Sequence, residues 1–319
     1  MPGAASVTFD DGCYSQYVSA YPILEKYKIK GTFGIVGEWV KEGPAYSAES
    51  GSFDILKMGW EQFAELFEHG HELAAHGYYH KKYDKFLPVP GLAPEMKEIK
   101  TLIESKIPCK VHTLHYPYSY ASGNIPPAAK EAGFLFGRTG LDTVNTPNPK
   151  DMLLLASQAV LNSQVPGDAG FQQWITEARG NWLILMYHHF FLPESKEMAL
   201  YKLHNVENTY SIFPEEFDRQ MQYLTASGYW IATVSEIGRY ITERENSDIR
   251  RISARKKIII YTITNLDKNV YNVPLTLEIR IPWKRAKVQG SLHDGVFTAN
   301  EGIIYVDVMP ETELIINKE

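Results

Sequence analysis

Along the first three-quarters of the chain, short apolar runs alternate with amphipathic stretches. The runs at residues 6–9, 32–36, 72–75, 111–114, 135–137, 182–187 and 230–233 have the length and texture of strands. The stretches at 16–27, 60–69, 94–105, 126–132 and 214–227 have helical spacing. In the last of these Phe217, Met221 and Leu224 recur at helical intervals, and Gly228 follows as a stop. Repeated strand–helix alternation predicts parallel strands joined by right-handed crossovers. A (β/α) barrel, or a distorted relative of it, is the natural closure.

The texture changes near residue 241. Glu243-Arg244-Glu245 and Arg250-Arg251 read as a charged, solvated linker over 242–256. Beyond it, 257–265, 273–281 and 302–308 run apolar or alternate at strand length, with a turn at 265–269. The expected organisation is therefore an α/β chain. Residues 1–241 form a distorted (β/α) barrel of about seven strands, and 257–319 a small all-β C-terminal sheet or sandwich. A segment of that size carries little stability by itself.

Composition narrows the function. The 319 residues hold 32 Lys+Arg against 38 Asp+Glu, for a formal charge of −6. That balance disfavours a nucleic-acid partner, which calls for a basic face. No run of ~18 apolar residues is present, so no membrane-spanning helix is expected. Two cysteines, Cys13 and Cys109, allow at most one disulfide and cannot build a Cys-based zinc site. Met1 to Ser6 lack the basic and apolar regions of a signal peptide and look like a trimmed start. The 20 tyrosines suit stacking on sugar rings, and equally a core or edge role.

Four segments carry candidate chemistry. Thr8-Phe9-Asp10-Asp11-Gly12 runs a strand into two adjacent carboxylates. One could bind a cation while the other takes a proton from water; a plain strand-to-turn junction would have the same letters. His76 and His80 are four apart after the strand at 72–75. If the chain turns helical there, both imidazoles share a face and could share a metal, and Asp plus two His makes a three-ligand site with an open position. His115-Tyr116-Pro117-Tyr118-Ser119 leaves a strand at a proline, which could present the Tyr118 N–H to an oxyanion or simply end the strand. Trp182 to His189 is an apolar strand ending in two histidines; alternation puts Met186 and His188 on one face.

These residues resemble the polysaccharide deacetylase family, the NodB-homology or carbohydrate esterase family 4 fold, over roughly residues 5–240. Thr8–Gly12 repeats the family's TFDDG unaltered. His76-Gly77-Tyr78-Tyr79-His80 is similar to its His-(Ser/Thr)-x-x-His, with Gly77 in the Ser/Thr place. His115-Tyr116-Pro117-Tyr118-Ser119 is an altered Arg-x-Pro-Tyr-Gly, and Met186-Tyr187-His188 resembles Leu-x-His. The resemblance implies a distorted barrel and metal-dependent hydrolysis of acetyl groups on sugars. It implies Asp11, His76 and His80 as metal ligands, Asp10 as general base, the Tyr118 N–H as oxyanion donor and His188 as general acid. Met186 would line the acetyl pocket, with Tyr116 and Trp182 as further substrate contacts.

Two departures matter. His115 stands where the family has an arginine that pairs with the base, and the family's Asp-rich motif with Trp is not recognisable. Arg138, after the strand at 135–137, could supply the missing cation beside Asp10, or lie on the surface. The implied cofactor is one divalent ion: zinc first, with Co2+, Ni2+ or Mn2+ also fitting the ligands. The implied activity is N-deacetylation of an acetylated poly- or oligosaccharide. The alternatives are an O-deacetylase of acetylxylan esterase type using the same residues, and a sugar-binding protein with a weakened site. The C-terminal sheet is a structural appendage or a carbohydrate-binding module using Trp283, Tyr271 or Tyr305. A secreted or periplasmic location is expected from the resemblance.

Overall fold

The computed structural model describes residues 3–48, 54–86, 88–161, 167–191 and 210–319. The chain divides into two units, Met1–Ser235 and Glu236–Glu319. In the first, the strands are β1 (Ala4–Phe9), β2 (Thr32–Ile35), β3 (Ala45–Ala48), β4 (Asp54–Lys57), β5 (Glu72–Ala75), β6 (Thr113–His115), β7 (Phe136–Arg138), β8 (Gln158–Ala159), β9 (Trp182–Tyr187), β10 (His189–Phe190), β11 (Ser211–Ile212) and β12 (Trp230–Ile231). Seven of them form one parallel sheet in the order β7-β6-β5-β2-β1-β9-β8, with β12 also paired to β1. This is the expected distorted barrel. Every expected strand of this unit forms within two residues of its expected bounds.

Alternation along the strands separates two layers. Val7, Phe9, Leu114, Tyr116, Leu183, Leu185 and Tyr187 join the large core with helix residues such as Leu24, Phe217 and Met221. Phe9 stacks on Phe33 with ring centroids 4.6 Å apart. The intervening residues face the barrel interior, where Thr8 Oγ1 donates to Leu185 O (2.8 Å) and the Trp182 indole N–H donates to Ser6 Oγ (3.1 Å). Because all the sheet strands are parallel, their C-terminal ends converge on one mouth.

Some elements were not expected. An antiparallel hairpin, β3 with β4, is inserted before the helix Trp60–Glu68. The short strand β8 and the helix Gly167–Glu177 also lie outside the expected set. The linker expected at 242–256 is corrected: the helix Val234–Asn246 runs straight into a strand, β13 (Ser247–Ala254), that pairs along its whole length with β14 (Lys257–Thr264). Exposed charged side chains do not prevent strand pairing, because the backbone supplies the hydrogen bonds. Glu243 is buried rather than solvated and accepts the Val273 N–H at 2.9 Å.

The second unit adds β15 (Leu275–Arg280), β16 (Arg285–Gln289), β17 (Gly295–Thr298), β18 (Ile303–Val308) and β19 (Glu313–Lys318). A five-stranded sheet, β13-β14-β19-β16-β17, and a two-stranded one, β15-β18, are both antiparallel. Strict alternation in β15, β16 and β18 sends Leu277, Ile279, Val288, Val306 and Val308 into a shared core. β16, β17 and β19 lie outside the expected set.

One buried group ties stability to pH. His71, just before β5, accepts the Gly31 N–H at Nδ1 (3.0 Å), and its Nε2 lies 3.3 Å from Glu25. Burial, with the Lys30 charge adding, pushes its pKa down to about 4 against the pull of Glu25. An unfolded histidine titrates near ~6.5. Between about 6.5 and about 4 the unfolded chain therefore binds the extra proton, and stability falls as pH falls through that window. The loss is on the order of 3 kcal/mol. His71→Asn keeps an acceptor for Gly31 without a titrating ring, so its denaturant midpoint should fall less steeply over the same window. An unchanged slope would assign the effect to other groups.

Candidate metal centre and active site

The site begins where β1 ends. The Asp10 N–H continues the ladder by donating to Tyr187 O (2.9 Å). The chain then turns through two left-handed residues, Asp11 (φ 71°) and Gly12 (φ 59°). Buried Gln16 fixes this turn to the end of β9: its Nε2 donates to Asp10 O (2.5 Å) and His188 O (2.7 Å).

After β5 the chain does not turn helical. Residues 76–80 form a loop with Gly77 at φ +75° and His80 at φ 47°. A Cβ on Gly77 would stand 2.9 Å from Pro117 Cγ and 3.2 Å from the Tyr83 hydroxyl. Close packing on the Pro117 turn, together with the left-handed backbone, explains glycine where the resemblance expects Ser or Thr. Glu95 holds the loop, accepting the Tyr78 N–H (2.5 Å), the Tyr79 N–H (3.4 Å) and the Tyr83 hydroxyl (2.8 Å).

The loop brings the two imidazoles together without a helix. The His76 and His80 ring centroids are 4.8 Å apart, and each Nε2 lies 3.3 Å from Asp11 Oδ1. One donor atom from each of Asp11, His76 and His80 falls within 4.8 Å of the others. Asp11 Oδ1 and His76 Nε2 are buried with no hydrogen-bond partner among the described residues. His76 Nδ1 donates to the His115 carbonyl (2.8 Å), which leaves its Nε2 as a lone pair. Such a set fits a divalent cation, with the backbone carbonyl orienting the imidazole. Burial opposes ionisation of Asp11, but His76 and the charges of Lys57 and His80 outweigh it, so its carboxyl lies well below the usual range.

Asp10 sits beside this set in a different environment. Arg138 Nη2 reaches both of its carboxylate oxygens, and His115 Nδ1 contacts Oδ1 at 2.8 Å. His76 and His188 each bring Nε2 to 3.7 Å from Oδ2. β6 and β7 are neighbours in register, His115 opposite Arg138, so both candidate partners come from adjacent strand ends. Gly34 makes room for His115, since a Cβ there would meet its Nδ1 at 2.9 Å. Burial raises the Asp10 carboxyl, yet Arg138, His76 and His115 together hold it well below the usual range. Burial and the Arg138 charge push His115 down to about 4. His115 is therefore neutral near pH 7, and Arg138 is the permanent charge on Asp10.

The remaining residues divide. Met186 faces the interior with its sulfur against Arg138 and Ser119, while Tyr187 on the opposite face donates to Gln220 (2.8 Å). His188 follows on the Met186 side, its ring centroid 4.4 Å from exposed Tyr210. Burial lowers its pKa despite the nearby Asp11 and Asp10. Tyr118 has a left-handed backbone (φ 58°) and a half-exposed ring 5.0 Å from that of His80. Two expected substrate contacts are corrected. Trp182 is buried at the first residue of β9, about 17 Å from the mouth at the usual rise per residue. Tyr116 alternates to the helix side of β6 and is fully buried in the core.

Three residues that shape the site were missed. Glu95 shares a helix face with Leu92, Met96 and Ile99, and an acid on an apolar stripe was its visible mark. Gln16 lies four residues before a buried alanine in a stretch read only as helix. Lys57 arrives on the unexpected hairpin and is buried beside Cys13.

Residues 2–137 match the family model for polysaccharide deacetylase. The chain is 27% identical to the Bacillus subtilis (strain 168) protein YxkH over 138 residues, 42% of this chain and 43% of that protein. It is 27% identical to the poly-beta-1,6-N-acetyl-D-glucosamine N-deacetylase of Staphylococcus aureus (strain MSSA476) over 148 residues, 46% of this chain and 50% of that protein. The alignments thus span half or less of these curated relatives. Among solved structures, the Streptococcus pyogenes deacetylase PplD in complex with acetate matches with 22% identity and a TM-score of 0.43, covering 53% of this chain and 69% of that one.

Proposed function

Because the chain belongs, through residues 2–137, to the polysaccharide deacetylase family, we propose that it is a metal-dependent deacetylase that removes N-acetyl groups from an acetylated poly- or oligosaccharide. The observation that carries the reading is the pairing of Asp10 with Arg138 directly beside the Asp11–His76–His80 set, at the mouth of a parallel barrel. A divalent ion held by those three residues, zinc first, supplies polarisation of the acetyl carbonyl and a more acidic water. Asp10 takes a proton from the attacking water, and Arg138 keeps its carboxyl ionised until then. The Tyr118 N–H donates to the oxyanion that develops as the carbonyl becomes tetrahedral. His188 delivers a proton to the amide nitrogen as the C–N bond breaks, so that acetate and a free amino sugar leave. Met186 packs against the acetyl methyl. The likeness to a Staphylococcus aureus N-deacetylase supports an N-acetyl substrate over an ester.

The test measures acetate release from β-1,6-linked N-acetylglucosamine oligomers and from acetylxylan, alongside the ion content of the protein. About one divalent ion per chain is expected, as in other three-ligand sites. A chelator should abolish release and added zinc restore it, and His76→Ala/His80→Ala should lose both ion and activity. Full ion content in that double variant would overturn the ligand set. Release from acetylxylan alone would turn the reading to an ester substrate.

A further inference from the structure

Next to the proposed metal set lies a second cluster, of which the reaction uses only Asp11. Asp11, Cys13 and His189 are all buried, and their donor atoms lie within 4.8 Å of one another. Sulfur, imidazole and carboxylate together are a zinc-type set, and Asp11 is common to both clusters. By ligand chemistry alone, two ions could bridge on Asp11.

Lys57 stands in the way. The hairpin β3–β4 ends at this residue, which bridges to Cys13, and the next N–H, that of Met58, donates to Gly12 O at 2.8 Å. The Lys57 side chain is 1% exposed. Its ammonium is 3.4 Å from Cys13 Sγ and 4.4 Å from the Trp39 ring centroid; that ring is in turn 4.7 Å from His80. A buried ammonium needs a counter-charge, and its field acts on Asp11. A fixed positive charge a few ångströms from a candidate ligand repels any further cation.

We infer that Asp11, Cys13 and His189 form a latent second metal site which the Lys57 ammonium keeps closed, so that the chain takes up one divalent ion instead of two. Lys57 is thus a positioning residue: it fills the electrostatic place of a second ion and holds the Cys13 sulfur off the metal. Removing it opens the cluster, and the incoming ion displaces the thiol proton to solvent. The inference rests on the Asp11–His76–His80 reading above.

The experiment titrates the chelator-stripped full chain with cobalt(II) chloride, reading bound ion by elemental analysis and sulfur-to-cobalt charge transfer by near-ultraviolet absorption. Wild type should bind about one ion with no sulfur band. Lys57→Met should bind about two, the second accompanied by the band, and Lys57→Met/Cys13→Ser should return to one without it. Lys57→Arg keeps the charge and should behave as wild type, which a merely structural loss at Met would not predict. One ion and no band in a natively folded Lys57→Met overturns the inference alone, whereas no ion in wild type overturns the reading beneath it. Should Lys57→Met fail to fold, Cys13→Ser in the wild-type background decides. A closed site requires unchanged cobalt affinity, and a loss of about tenfold or more shows the sulfur already ligating, which overturns it.

Discussion

Asp10→Asn should lower acetate release by about 10²–10⁴-fold while leaving the ion content near that of wild type. The amide keeps the shape of the carboxylate and removes both its basicity and its charge. Asp11, His76 and His80 keep their own contacts, so the ion should remain. The substitution also strands the Arg138 guanidinium, which is fully buried. Removing one partner of a buried ion pair costs roughly 3–5 kcal/mol of stability. Asp10→Asn should therefore melt earlier, and Asp10→Asn/Arg138→Met should regain part of that stability without regaining turnover. Substantial acetate release from Asp10→Asn would remove Asp10 from the role of base.

Arg138→Met has the second-largest expected effect, a loss of about 10–10³-fold in kcat with little change in ion content. Asp10 is 2% exposed, and with its largest counter-charge gone the buried carboxylate shifts toward its protonated form, which cannot accept a proton from water. His115 cannot take over, because a histidine held down to about 4 carries no charge at working pH. His115→Gln, which retains a hydrogen-bond donor for Asp10, should be much milder. Equal losses in the two variants would make the hydrogen bond, not the charge, the working contact. A silent Arg138→Met would show that Asp10 needs neither.

The barrel was legible because its strands are short apolar runs, as parallel strands buried on both faces are, separated by amphipathic stretches in which Phe217, Met221 and Leu224 mark one helix. Asp10, Asp11, His76 and His80 were legible as letters at strand ends. How they meet was not. The expected helix at 76–80 is a loop pinned by Glu95, a contact made across seventeen positions of chain from Tyr78 that no local period encodes. Arg138 was open between surface and site until the register of β6 against β7 put it opposite His115. Tyr116 and Trp182 failed for two reasons, the wrong face of a strand and the wrong end of one. Lys57 stayed hidden because its position depends on an inserted hairpin whose strands are four residues each.

Gly77 makes the His76–His80 loop and the Pro117 turn answerable to each other. A side chain at 77 would need both a left-handed backbone and space now filled by Pro117. A serine at 77 is accordingly expected to push the His76–His80 loop away from the Pro117 turn, and easing Pro117 alone would leave the backbone strain in place. A change at 77 would thus reach past its own loop: the His80 ring and the Tyr118 turn that packs against it would be displaced together, so its cost cannot be read from the His76–His80 spacing alone.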